Sequence, residues 1–315
     1  MQIVQAPRAS AILYNLLVSR ADHRPWLLPA NICPIVPLIF YKARITFKLV
    51  DISAQTLQID LELVEELVST RKYGGLLYAH TYGDSSTPQD FFRRIKDHSP
   101  DVLVVDDRCL CIPEADPAQD TNADVCLFST GYAKIVDLGR GGYAFFKKEL
   151  NALPTKLPFN SDDYTALERS YKQVLQDRRR FEYHDSNWLE TDADLPSWYD
   201  YSRRIQDTLT GTLRTRAEIN TVYQNRLPHE IQFPSQYQNW RFNIRVKNGR
   251  RILEALFAAG LFASSHYASL AGIMTGDRAP NAEKLASEVI NLFNDHHFSI
   301  SRAENACNII LENLS

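Results

Sequence analysis

The chain has 315 residues, 44% of them hydrophobic and 23% charged, with a formal net charge of −3. That length exceeds one ordinary core, so two lobes are expected. The near-neutral balance, with Lys and Arg scattered, argues against a nucleic-acid partner. The most apolar stretch, residues 26–41, is interrupted by Pro29, Pro34 and Pro37 and is too short to span a bilayer, so no membrane partner is expected.

Cys33, Cys109, Cys111, Cys126 and Cys307 form no CxxC pair, and no Cys or His pair follows at metal-ligand spacing. The reading is reduced, packed thiols in a cytoplasmic protein without a metal centre. The first residues carry no basic segment followed by an apolar core, so no secretory signal is expected.

In chain order, residues 9–19 have helical periodicity and 26–28 read as a strand. A helix over 34–42, a strand over 46–50 and a helix over 60–69 follow. Residues 76–79 read as a buried strand and 88–98 as an amphipathic helix. A strand over 101–105 runs into Asp106 and Asp107, and two more cover 125–128 and 143–146. This alternation predicts an α/β fold, a mainly parallel sheet sandwiched by helices. Ligands gather at the carboxyl ends of such strands, where His80, Asp106, Asp107 and Ser129 lie.

Beyond residue 148 the character changes. Helices are expected over 170–180 and 201–223, a strand over 240–246, and a helix over 248–259 closed by Gly260. A strand over 262–267 and helices over 282–292 and 301–314 complete a smaller α+β lobe. The division is placed at 1–207 and 208–315. Trp188, Trp198, Tyr199 and Tyr201 are read as aromatics packing an interface between copies.

The chemistry is concentrated between Val104 and Gly142. A strand ends in Asp107, another in Ser129; Lys134 follows five residues later, then a glycine turn at Gly139, Gly141 and Gly142. A pyridoxal-phosphate (PLP) site needs a lysine amine, a carboxylate for the pyridinium nitrogen, and hydroxyls or backbone N–H groups for the phosphate. Each residue also has a plainer reading. Lys134 alone would be a surface lysine, Asp107 a helix cap, and the glycines a hairpin turn. His80 and His266 alone would be packed, hydrogen-bonded side chains. The common spacing favours the cofactor reading.

The segments Asp106-Asp107-Arg108-Cys109-Leu110, Ser129 with Lys134, and Gly139-Arg140-Gly141-Gly142 resemble the DegT/DnrJ/StrS aminotransferases. So do Val50-Asp51-Ile52, Tyr78-Ala79-His80-Thr81-Tyr82-Gly83, Trp240-Arg241-Phe242-Asn243 and Ser265-His266-Tyr267, so that the resemblance covers nearly the whole chain. It implies a fold-type I PLP-transferase with Lys134 as the lysine that carries the cofactor and moves the proton. Asp107 would pair with the ring nitrogen. Ser129 would bind the phosphate together with Arg8, Ala9 and Ser10, at the start of the first helix. His266 and His80 would sit near the substrate. It also implies a homodimer that transfers an amino group from an amino-acid donor to a keto group of a nucleotide-linked sugar, as in polysaccharide biosynthesis. The substrate class rests on analogy alone.

Four positions depart from that pattern. Leu110 replaces a Gln that touches the ring oxygen. Cys33 stands where an aromatic residue stacks on the ring. Arg140 replaces a Glu. The segment whose Asn reaches the partner subunit's phosphate is absent, with Asn187 the nearest substitute. These departures raise an alternative: a catalytically degraded member serving as a binding or regulatory dimer.

Overall fold

A computed structural model describes residues 1–116, 121–147, 150 and 152–314. The large sheet is built from β1 (Gln2–Ala6), β2 (Trp26–Pro29), β3 (Phe47–Val50), β4 (Gly75–Ala79), β5 (Leu103–Asp107), β6 (Val125–Ser129) and β7 (Gly142–Phe146). Their order is β1-β7-β6-β5-β4-β2-β3. Pairing from β3 through β6 is parallel, and β7 runs antiparallel to both β6 and β1.

The strands are apolar on both faces because helices cover both. Trp26, Leu28, Leu49, Leu77, Leu103 and Val105 face one core with α1 (Ala9–Val18) and α2 (Ile35–Ala43). The alternate residues Leu27, Val50, Leu76, Tyr78 and Val104 face the other, with α3 (Leu61–Ser69) and α4 (Gln89–His98). This two-residue alternation into two dry layers is what a buried parallel sheet requires. The helix starts follow local chemistry: Asp60 accepts the Glu62 and Leu63 N–H groups to cap α3.

Helix α5 (Ser161–Asp177) begins at its Asn160 cap, nine residues ahead of the expected start at 170. Helix α6 (Trp198–Arg226) is 29 residues long. Its Tyr201 and Ile205 pack under the large sheet, and its Ile219 and Tyr223 belong to a separate core. The expected division at 207/208 falls inside this helix. Trp188 and Tyr201 are buried within the chain's own cores, and Trp198 packs edge-on against Phe145; of the four aromatics expected at an interface, Tyr199 is the exposed one.

The second core lies around a small antiparallel sheet of β8 (Phe242–Arg245), β9 (Ala263–Ser264) and β10 (Val289–Leu292), in the order β8-β10-β9. Helices α7 (Gly249–Ala258) and α9 (Ile300–Glu312) pack on it. The expected helix over 282–292 is instead α8 (Pro280–Glu288) followed directly by β10, the central strand. Val289 and Ile290 are β-branched and fully buried, and pairing on both sides overrides the helical periodicity.

Candidate active site

The carboxyl ends of β2, β4 and β5 open onto one cavity. Its walls include Asn31, Cys33, His80, Asp107, Leu110, Lys134 and Tyr267, and leave about 330 Å³ of empty space, mouth included. A larger cleft of about 590 Å³ lies by Gly141, between Arg140, Asp194 and Arg204, but contains neither Lys134 nor Asp107. Chemistry rather than size selects the smaller one, because there an amine and a carboxylate meet.

Asp107 is the last residue of β5 and 9% exposed. One of its oxygens accepts the Cys109 N–H at 3.0 Å, closing a turn, and among the described residues it forms no ion pair. The turn reading and the site reading therefore hold together. Burial, with the Asp107 carboxylate adding, pushes the Cys109 thiol well up, against the pull of Lys134. Burial likewise raises the Cys33 thiol, and Lys134 again opposes it. Both thiols are thus disfavoured as thiolates and sense the same two charges.

Lys134 lies in the loop between β6 and β7. Its ammonium makes no hydrogen bond or ion pair among the described residues. The residue before it, Ala133, has φ 59°, the left-handed region. The loop is held from within by Asp137, which accepts the Ala133 and Gly139 N–H groups, both at 2.8 Å.

The expected phosphate residues meet at a second place. Ser129 ends β6, and its Oγ accepts the Gly131 N–H at 3.2 Å. Gly141 bridges to Arg8, and Gly142 lies so close to α1 that a Cβ there would approach the Ala9 nitrogen to 2.2 Å. The structure thus brings Ser129, Gly141, Arg8 and Ala9 together at the N-terminus of α1, where unpaired N–H groups favour an anion. The Ser10 hydroxyl has no partner among the described residues. Arg8 instead pairs with Glu190 at 3.0 Å, so its charge is already balanced.

Asn187 is exposed and sits at the start of α5, its N–H donated to Asp163 at 2.8 Å, away from the cavity of its own chain. His80 is 1% exposed, and both ring nitrogens face oxygens: Nε2 the Asp106 carboxylate at 2.6 Å and Nδ1 the Asp84 carbonyl. Burial opposes a charge on this ring, but Cys111 and Asp106 favour it and prevail, raising it well above the usual histidine range. His266 is the reverse case. Burial, with Arg241, Lys134 and Lys172 nearby, pulls it down to about 4.

Asn31 and Tyr267 are among the wall residues missed by sequence reasoning. Asn31 is fully buried, and its Oδ1 has no hydrogen-bond partner among the described residues. Tyr267, beside His266, brings an aromatic ring from the C-terminal lobe, stacked on Trp240 at 6.1 Å and 8°. Cys33 offered a hint, since a cavity without its usual aromatic residue needs another wall.

No family model matches the chain, and no curated protein matches it. Solved structures do. A DegT DnrJ EryC1 StrS aminotransferase from Brucella abortus is 13% identical, with a TM-score of 0.70 over 100% of this chain and 86% of that one. The fold is that of the sugar aminotransferases. PseC of Helicobacter pylori, an aminotransferase involved in pseudoaminic acid biosynthesis, is 14% identical, with a TM-score of 0.71 over 100% and 87%. A Streptococcus pneumoniae protein described as a sugar aminotransferase, in its PLP form, is 16% identical, with a TM-score of 0.73 over 99% and 88%; it is also solved in a PMP form. Identities this low establish the shared fold.

Proposed function

We propose that this chain is a PLP-dependent aminotransferase. We place its acceptor as a keto group on a nucleotide-linked sugar and its donor as an amino acid, in a cytoplasmic homodimer. One observation carries the reading: the unpaired ammonium of Lys134 and the carboxylate of Asp107 line the same cavity at the strand ends. The shared fold supports it, and so does the resemblance of the Asp107, Ser129 and Lys134 segments.

The residues present fit the cofactor. Among the described residues, Asn31 presents a buried oxygen without a partner, Lys134 an unpaired amine, and Asp107 a carboxylate without a counter-ion. Lys134 would hold it, Asp107 would face its ring nitrogen, and Ser129, Ser10 and the first N–H groups of α1 would take its phosphate. Bound PLP supplies an electron sink for amino-group transfer. Asp107, oriented by the Cys109 N–H, would favour positive charge at the ring nitrogen. Lys134 would move the proton at the substrate carbon as general acid and base. Tyr267 and Leu110 line the cavity beside it. His80, with both nitrogens engaged, positions the floor of the cavity and has no free donor for substrate.

The test is a half-reaction. Glutamate added to the PLP-loaded protein should bleach the visible band, and a nucleotide-linked keto sugar should restore it. A band that glutamate leaves unchanged favours the second reading, a binding dimer, which Leu110 and Cys33 motivate.

A further inference from the structure

Resting on that reading, we propose that Arg216 and Trp240 are positioning residues that reach over from the C-terminal half of the chain and set the aim of Lys134. The observation behind this is how the backbone before the lysine is held. Ala133 is an alanine in the left-handed region, at φ 59°, which L-residues other than glycine, Asn and Asp rarely adopt. Such a conformation persists where its surroundings enforce it. Here both backbone polar groups of Ala133 are taken by side chains: Asp137 accepts its N–H at 2.8 Å, and the Trp240 indole Nε1 donates to its carbonyl at 2.8 Å. The next carbonyl, that of Lys134 itself, accepts from Arg216 at 3.3 Å.

Arg216 is unusual in its own right. It is 3% exposed, yet its guanidinium has no carboxylate partner among the described residues. Its donors go to neutral oxygens instead: the Trp240 carbonyl and Asn294 Oδ1, each at 2.6 Å, and the Lys134 carbonyl. Nε has no partner. Two acids act on its charge without an ion pair: Asp295, already engaged by Arg241 at 2.9 Å, and Asp137, engaged by the loop N–H groups. A buried cation without a counter-ion is costly, and ion pairing does not account for this one. Clamping the lysine loop does. Trp240 completes the device: its N–H holds the loop, its carbonyl holds Arg216, and its ring stacks on Tyr267 in the cavity wall. Loop, wall and C-terminal core therefore move together.

The test uses Trp240→Phe, which keeps an aromatic ring but removes the indole N–H with part of the ring system, together with Arg216→Met and Arg216→Lys. The first readout needs no cofactor: amide hydrogen exchange across residues 131–136. The second is the rate at which PLP becomes borohydride-trapped on Lys134, set beside its total binding by dialysis. Trp240→Phe should melt within a few degrees of the parent protein. Exchange at 133–135 should rise at least tenfold in Trp240→Phe and in Arg216→Met. In both, attachment to Lys134 should slow at least tenfold, with dialysed PLP binding changed less than threefold. Arg216→Lys should recover part of the loss. Parental exchange and attachment in folded Trp240→Phe and Arg216→Met would overturn the proposal, as would an exchange increase spread evenly over the chain. Should the parent protein itself trap no PLP, the proposed function fails, and the exchange data alone decide the clamp.

Discussion

His80 and Asp106 face each other at 2.6 Å beneath the cavity, both essentially sealed from solvent. The carbonyl of Asp84 on the ring's other nitrogen can only accept, so the pair is best satisfied as imidazolium and carboxylate. His266, next in the chain to the wall residue Tyr267 but not itself lining the cavity, is held neutral by burial and by nearby cations. The two rings are therefore shifted in opposite directions from an ordinary histidine.

The first prediction concerns pH. An unfolded histidine titrates near ~6.5. His80 is raised well above that, so its contribution to stability is complete below ~6.5 and is lost as pH rises through the folded value. His266 is lowered to about 4, so the unfolded chain alone takes up its proton as pH falls from ~6.5 towards 4, and stability falls across that window. Imidazole NMR at pH ~5.5, inside the window between those values, should show His80 charged and His266 neutral. Two rings of equal charge there would refute the assignment.

A second prediction concerns the buried pair Arg241–Asp295, at 2.9 Å with side chains 2% and 8% exposed. Burial pulls the Arg241 guanidinium down and Asp295 raises it, as expected where a desolvated cation depends on one partner. Arg241→Met should cost about 3–5 kcal/mol, because it leaves Asp295 buried and unpaired. Replacing both with apolar residues should cost clearly less, measured by denaturant unfolding. Equal losses would mean that packing, not charge, dominates there.

A third prediction tests the floor of the anion site. Gly142→Ala places a methyl group 2.2 Å from the Ala9 nitrogen, so α1 must shift outward. We expect about 1–3 kcal/mol of destabilisation, as for overpacking. PLP affinity should weaken with it, since the N–H groups of α1 move relative to Ser129. Unchanged affinity at reduced stability would place the phosphate elsewhere.

Much of this was legible in the sequence. The strands from 26 to 146 and their helices read correctly because each segment carries its own period and is bounded by turn residues. Asp107 and Lys134 were singled out by spacing, and they line one cavity. What was missed depends on pairing at long range. Edge strand β1 has an exposed, weakly patterned face and exists by pairing with β7. Strand β10 hides its β-branched residues behind a helix-like run. Asn31, Tyr267, Arg216 and Trp240 enter the site from distant segments, and no local period marks them. Arg8 read as a phosphate ligand because Glu190, 182 residues away, was not visible as its partner.

The most direct test of the account is the attachment point of the cofactor. The protein would be incubated with PLP, reduced with borohydride, digested and mapped by mass. A pyridoxyl group on the peptide holding Lys134, absent from Lys134→Ala together with the visible band, is the predicted result. Pyridoxyl groups scattered over other lysines, or an unchanged band in Lys134→Ala, would contradict it.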